Sequence, residues 1–346
     1  MSINKKLFAA TVLGFFIFTC LFCGNLTFVD KASAKTYVMK LGTIEPPASP
    51  KMVGMERFKE LVEKKTNGGV QVKIFPSSQL GSAREMIEAT QMGTEEATLT
   101  TSSNLAGFEP SVSILDLPFL FPSRDACYKV IDSPFGKHLL KTLEDDGLIG
   151  LSWWDSGFKQ FTMDSQITGL SSFKGKKIRV MENPILIAQY EAMGASAIPL
   201  NYHELYNALQ QGVVNGQENP LASIYEMKFY EVQKCLAISD HAYLPLVMAV
   251  NKKWYESLPK EYQKALQEAS DEAALFLRKH QLNLEFKEFV PHMEKAGIKI
   301  VHMTEKQKAE IAVAIKDKTR VALLKMLDNK GKELLKELDE TIAKMH

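Results

Sequence analysis

Two stretches of the chain carry side chains suited to gripping an organic acid. The first is Gly175-Lys176-Lys177-Ile178-Arg179-Val180-Met181-Glu182-Asn183-Pro184. Ile178 and Val180 alternate with Arg179 as strand residues do, so the arginine faces the opposite side of the sheet from its two apolar neighbours. A guanidinium fixed at a strand end is a planar fork of N–H donors that matches a carboxylate. Taken alone, the same arginine would serve equally well in a structural salt bridge. The second stretch is Leu209-Gln210-Gln211-Gly212-Val213-Val214-Asn215-Gly216-Gln217-Glu218-Asn219-Pro220. Its Asn-Gly and Asn-Pro pairs predict a turn-rich loop following a helix.

Other chemistries lack their residues. Asp155-Ser156-Gly157 misses the first glycine of a G-x-S-x-G nucleophile elbow. There is no G-x-G-x-x-G or Walker-type phosphate loop. The histidines do not fall at H-x-x-x-H spacing, and no C-x-x-C stands beyond the leader, so no metal and no cofactor is expected. With 42 Lys+Arg against 41 Asp+Glu, the net charge of +1 excludes a chain built to neutralise a nucleic-acid backbone. The acidic pairs Glu95-Glu96 and Asp145-Asp146 read as solvated surface.

The first residues set an expected compartment. Lys5 and Lys6 precede an apolar run from Leu7 to Phe22, and Ala32-Ser33-Ala34 follows. That order is the one of a secretory signal peptide cleaved near Ala34, and the run falls short of the ~20 residues that span a bilayer. Cys127 and Cys235 then remain, expected as buried free thiols.

The rest of the chain alternates strand and helix patterns, pointing to an α/β fold. Strands are expected at Tyr37–Gly42, Val70–Pro76, Glu96–Ser102, Lys177–Val180, Ala195–Leu200, Tyr243–Val250 and Gly297–His302. Leu148–Trp154 and Gly157–Met163 bracket another strand-like passage. Ser49 with Pro50 opens one helix, Ser82 with Glu85 and Thr304 with Gln307 form capping boxes, and Asn201 is expected to cap a helix that ends at Gly212. A helix from about Pro259 to Val290 is long enough to run along two domains. The tail from Glu305 to Met345 reads as helical. Together with the leader, this suggests a two-domain periplasmic-binding-protein-like fold with a ligand cleft between domains and a long helix spanning both. The expected units are residues 35–156 with 245–284, and 157–244 with 285–346.

Those motifs resemble a family. Phe75-Pro76-Ser77-Ser78-Gln79-Leu80-Gly81, Leu117-Pro118-Phe119-Leu120-Phe121, Gly175 to Pro184, Glu204 to Gln210, Gly212 to Pro220 and Phe229 to Lys234 are similar, in order, to the solute receptors of tripartite ATP-independent periplasmic (TRAP) transporters, C4-dicarboxylate-binding-protein type. The resemblance implies a periplasmic receptor, monomeric or homodimeric, that closes on a small organic acid and hands it to the small and large subunits of a membrane permease. It implies that Arg179 grips the carboxylate, that Asn219 adds an amide donor and that Tyr202 packs on the ligand. Where the family often has a second arginine, this chain has Lys159. Where sialic-acid receptors carry Glu and Arg, it has Thr101 and Asn104, which argues against that ligand. An amide at Asn219, where some keto-acid receptors place an acid, argues against an obligate metal. Trp154 or Asp155 is expected to line the cleft beside Lys159, with Glu182 of the arginine strand and Ile44 of the loop reaching to Ser49. Alternatives left open are a sensory receptor of the same fold and a secreted hydrolase.

Overall fold

The computed structural model describes residues 35–344. The leader, the cleavage point near Ala34 and Met345 therefore lie outside the described residues. Among the described residues there are nine strands: β1 (Tyr37–Thr43), β2 (Val70–Phe75), β3 (Ala97–Thr101), β4 (Leu148–Met163), β5 (Lys177–Val180), β6 (Ser196–Pro199), β7 (Gly216–Pro220), β8 (Cys235–Asn251) and β9 (Lys299–His302). They form one sheet in the order β2-β1-β3-β8-β4-β7-β5-β6, with β9 also paired to β8.

Strands β4 and β8 hold the architecture together. They are antiparallel and run 16 and 17 residues. The Leu246–Val250 end of β8 pairs with β3, while its Cys235–Ile238 end pairs with β9. The Lys159–Met163 end of β4 pairs with β7. Each long strand thus passes from one domain into the other. The ladder slips between Asp155 and Phe158. Gly157 sits in that slip at φ 103°, where a Cβ would come within 2.8 Å of the Arg124 guanidinium, so a side chain there is strained and crowded.

One helix follows the same route. It runs Lys260–Leu284, passes through a π turn at Glu285–Phe289 and ends as Val290–Lys295. Ala269, Ala273 and Leu277 pack with Met39, Phe58 and Trp154 in one apolar core. Phe289 and Met293 pack with Tyr202, Leu209 and Phe229 in another. The π turn is tied to the strand slip. Gln281 donates to the Ser156 carbonyl at 2.6 Å, and Arg124 joins Asp155, at 3.1 Å, to Glu285.

Several local features differ from the sequence expectation. Gly216–Pro220 is a fully buried strand, not a loop, because β4 and β5 flank it on both sides and supply its backbone partners. The tail is two helices, Glu305–Met326 and Asn329–Ala343, parted where Asp328 caps the second through the Gly331 N–H at 2.7 Å. Asn201 makes no side-chain cap, and a short 3₁₀ turn, Tyr202–Glu204, precedes the Leu205–Gln210 helix. Glu95 is buried instead of solvated, and burial pushes its carboxyl up to about 7. Ser49 and both capping boxes form as the sequence predicts. Cys127 and Cys235 are buried free thiols.

Candidate functional site

Where the two halves of the sheet meet, a cavity of about 940 Å³ opens. Small-molecule sites run from about 300 to 1,000 Å³. Loop and strand ends of the first domain, including Ile44, Glu45, Ser78, Thr101 and Asn104, face Arg179, Met181, Leu200, Tyr202 and Asn219 of the second.

Arg179 lies on β5 and is 3% exposed. Its Nε and Nη2 donate to the Leu200 carbonyl at 2.9 and 2.8 Å. That carbonyl closes the loop after β6, so the chain itself aims the guanidinium. Two of the five N–H donors are used, and three are left. Among the described residues no carboxylate forms an ion pair with it. Burial pulls its pKa down to about 10, against the weaker upward pull of Tyr202 and Glu218. The result is a desolvated cation in a cavity wall, lacking the partner that a buried charge requires.

Asn219, the penultimate residue of β7, also lines the cavity, but its Nδ2 donates to Gln217. Tyr202 stands in the wall, edge-on to Phe229 with 6.0 Å between ring centroids. Its hydroxyl has no hydrogen-bond partner among the described residues. Thr101 lines the cavity with its hydroxyl 3.6 Å from the Met181 sulfur, and it accepts the Asn104 N–H at 3.2 Å. Glu182 sits at the mouth, 3.9 Å from Arg84. Ile44 and Asn104 complete the sequence-derived residues that the fold brings together here.

Three others lie elsewhere. Lys159, on β4, is fully buried and pairs with Glu218. Glu218 also accepts from Gln189, Tyr190 and His241 at 2.8, 2.7 and 2.8 Å. Burial alone would raise that carboxyl, but Lys159 and His241 outweigh it and hold Glu218 far below the usual range. Trp154 is in the core, with its indole N–H 3.0 Å from Ser152. Asp155 is held by Arg124, Tyr128 and Tyr243. Ser156, within the strand slip, is the residue of this stretch that lines the cavity.

The sequence reading missed a polar cluster next to the cavity. Lys51, in the first turn of the Pro50–Lys65 helix, is completely buried. Its ammonium lies 2.9 Å from Glu45, 3.1 Å from the Ser223 hydroxyl and 3.9 Å from Glu226. Burial works against its charge, but Glu226 and Glu45 outweigh that and keep it protonated. Both Glu226 oxygens lack a hydrogen-bond partner among the described residues, and burial pushes its carboxyl up to about 8. A lysine one position after a helix-opening proline gives no sign in sequence of such burial. Among the described residues, no group of three or more His, Cys, Asp or Glu could hold a metal ion.

Residues 41–325 match the model of the bacterial extracellular solute-binding protein family 7. The chain belongs to that family. Family 7 proteins are receptors of TRAP transporters, and the two-domain fold described above is theirs. Among solved structures, a TRAP periplasmic solute-binding protein from Desulfovibrio salexigens with bound orotic acid is 39% identical, with a TM-score of 0.88 over 90% of this chain and 100% of that one. The 2,3-diketo-L-gulonate-binding periplasmic protein of Escherichia coli is 30% identical over 92% of this chain and 97% of its own. The C4-dicarboxylate-binding periplasmic protein of Rhodobacter capsulatus is 37% identical over 70% of this family 7 chain and 73% of its own.

Proposed function

We propose that this family 7 receptor captures a small organic acid in the cavity, with Arg179 as the clamp for its carboxylate. The observation that carries the reading is a buried guanidinium with no counter-ion and three free donors facing a cavity. A bound carboxylate supplies charge-assisted hydrogen bonds worth about 1.5–3 kcal/mol each. Asn219 and Tyr202 add polar contacts once Asn219 releases Gln217. The named ligands of the relatives, orotic acid and 2,3-diketo-L-gulonate among them, are acids of this kind. The domains meet at residues 156/157, 244/245 and 284/285, where the strand slip and the π turn lie, and closure bends the chain there. The leader directs the chain to the periplasm and is removed near Ala34, and membrane permease subunits receive the ligand.

Isothermal titration with a panel of organic acids tests this. The wild-type protein binds at least one of them, and Arg179→Ala weakens that binding by about 100-fold or more, the loss of roughly 3 kcal/mol. Unchanged affinity in Arg179→Ala would overturn the assignment.

A further inference from the structure

We propose that the ligand bears a single carboxylate on an uncharged, hydrogen-bonding body, and that Glu45 is the residue that rejects a second carboxylate. This rests on the receptor reading and adds the class of acid to it.

The charges around the cavity support it. Two arginines line the wall, Arg84 and Arg179. Arg84 is already engaged, 3.0 Å from Glu88 and 3.9 Å from Glu182, and stands half-exposed at the mouth. That leaves Arg179 to take an anion. Against these cations the wall carries Glu45, Glu182 and Glu204. His203 adds no charge, since burial lowers its pKa. A ligand with one negative charge satisfies Arg179. A second charge would find no further unpaired cation among the described residues of the wall.

The wall around Glu45 shows what the remainder of the ligand is like. Glu45, Ser223 and Tyr202 line it, and Lys51 lies behind them. The ammonium is held by Glu45 and Ser223, so a ligand carboxylate reaching this end would meet the Glu45 carboxylate first. Juxtaposed like charges weaken binding. Two polar atoms of the wall, Tyr202 Oη and Ser78 Oγ, are buried without hydrogen-bond partners among the described residues. Each seeks a hydroxyl, carbonyl or ring N–H, and each leaves a cost if it meets only hydrocarbon. An apolar tail fits no better than an ionic one.

The test is competitive calorimetry on the full mature chain with orotate and D-galactonate as monocarboxylate probes and succinate and fumarate as dicarboxylates. The expected result is that at least one monocarboxylate binds about 100-fold or more tightly than either dicarboxylate. In Glu45→Gln, the carboxylate between the cavity and Lys51 is gone and Glu226 alone faces that ammonium, so the ratio shifts toward succinate by about ten-fold or more. If succinate binds as tightly as the best monocarboxylate, and Arg179→Ala abolishes both, the single-carboxylate inference falls while the receptor reading stands. If none of the acids binds, both fall. The wild-type ranking decides the matter even should Glu45→Gln fail to fold.

Discussion

Lys159 and Arg179 are buried cations on either side of β7, one on β4 and the other on β5, yet they are treated in opposite ways. Lys159 is locked to Glu218, and that carboxylate is further held by Gln189, Tyr190 and His241. Arg179 has a backbone carbonyl for company and no carboxylate among the described residues. The first arrangement is complete and leaves nothing for a ligand to add. The second is incomplete in the one respect that an organic acid supplies. Burial of a charge therefore does not by itself mark a binding site; burial without a counter-ion, in the wall of a cavity, does.

The sharpest way to break the contrast is Lys159→Met. It strands Glu218 in the interior, and removing one member of a buried pair costs about 3–5 kcal/mol. Urea unfolding should show that loss, and a variant as stable as wild type would mean that the network is not what holds β4 to β7. Arg179→Met should do far less to the empty protein, staying within about 1 kcal/mol of wild type, since no ion pair is broken. A large loss in the same urea assay would show Arg179 to be structural. A different readout is pH dependence. Glu226 holds its proton up to about 8, whereas the unfolded chain releases it near 4.5. The folded state then binds more protons between those values, and stability from this group falls as pH rises through that window. Glu226→Gln should flatten that part of the stability curve measured by thermal melts. Glu218 works in the other direction, its contribution being lost in acid.

The local elements were largely legible in the sequence, because caps and periodicity are short-range signals. The Ser82–Glu85 and Thr304–Gln307 boxes, the β1 and β2 strands and the long helix all follow from neighbours in the chain. Strand β7 was not legible, since Asn215-Gly216 and Asn219-Pro220 are turn chemistry and only flanking strands make that segment extended. In the site, Arg179, Tyr202 and Asn219 were found through motif and resemblance, and they face one cavity. Trp154 and Asp155 were placed by strand alternation and Lys159 by resemblance, and none of the three lines the cavity, because contacts with residues distant in the chain hold each of them elsewhere. The Lys51 cluster depends on contacts between residues far apart in the chain, which no spacing rule exposes.

The long reach of β8 has a kinetic consequence. Thr101, at the end of β3, finds its sheet partner only at Leu246. Until that segment is made, the open edge of β3 has nothing to zip onto, and β4 lacks its principal neighbour. Distant pairings of this sort slow folding, because a large loop must close before any contact rewards it. The centre of the sheet is therefore the last part that a growing chain can complete, because it waits for residues as late as Asn251.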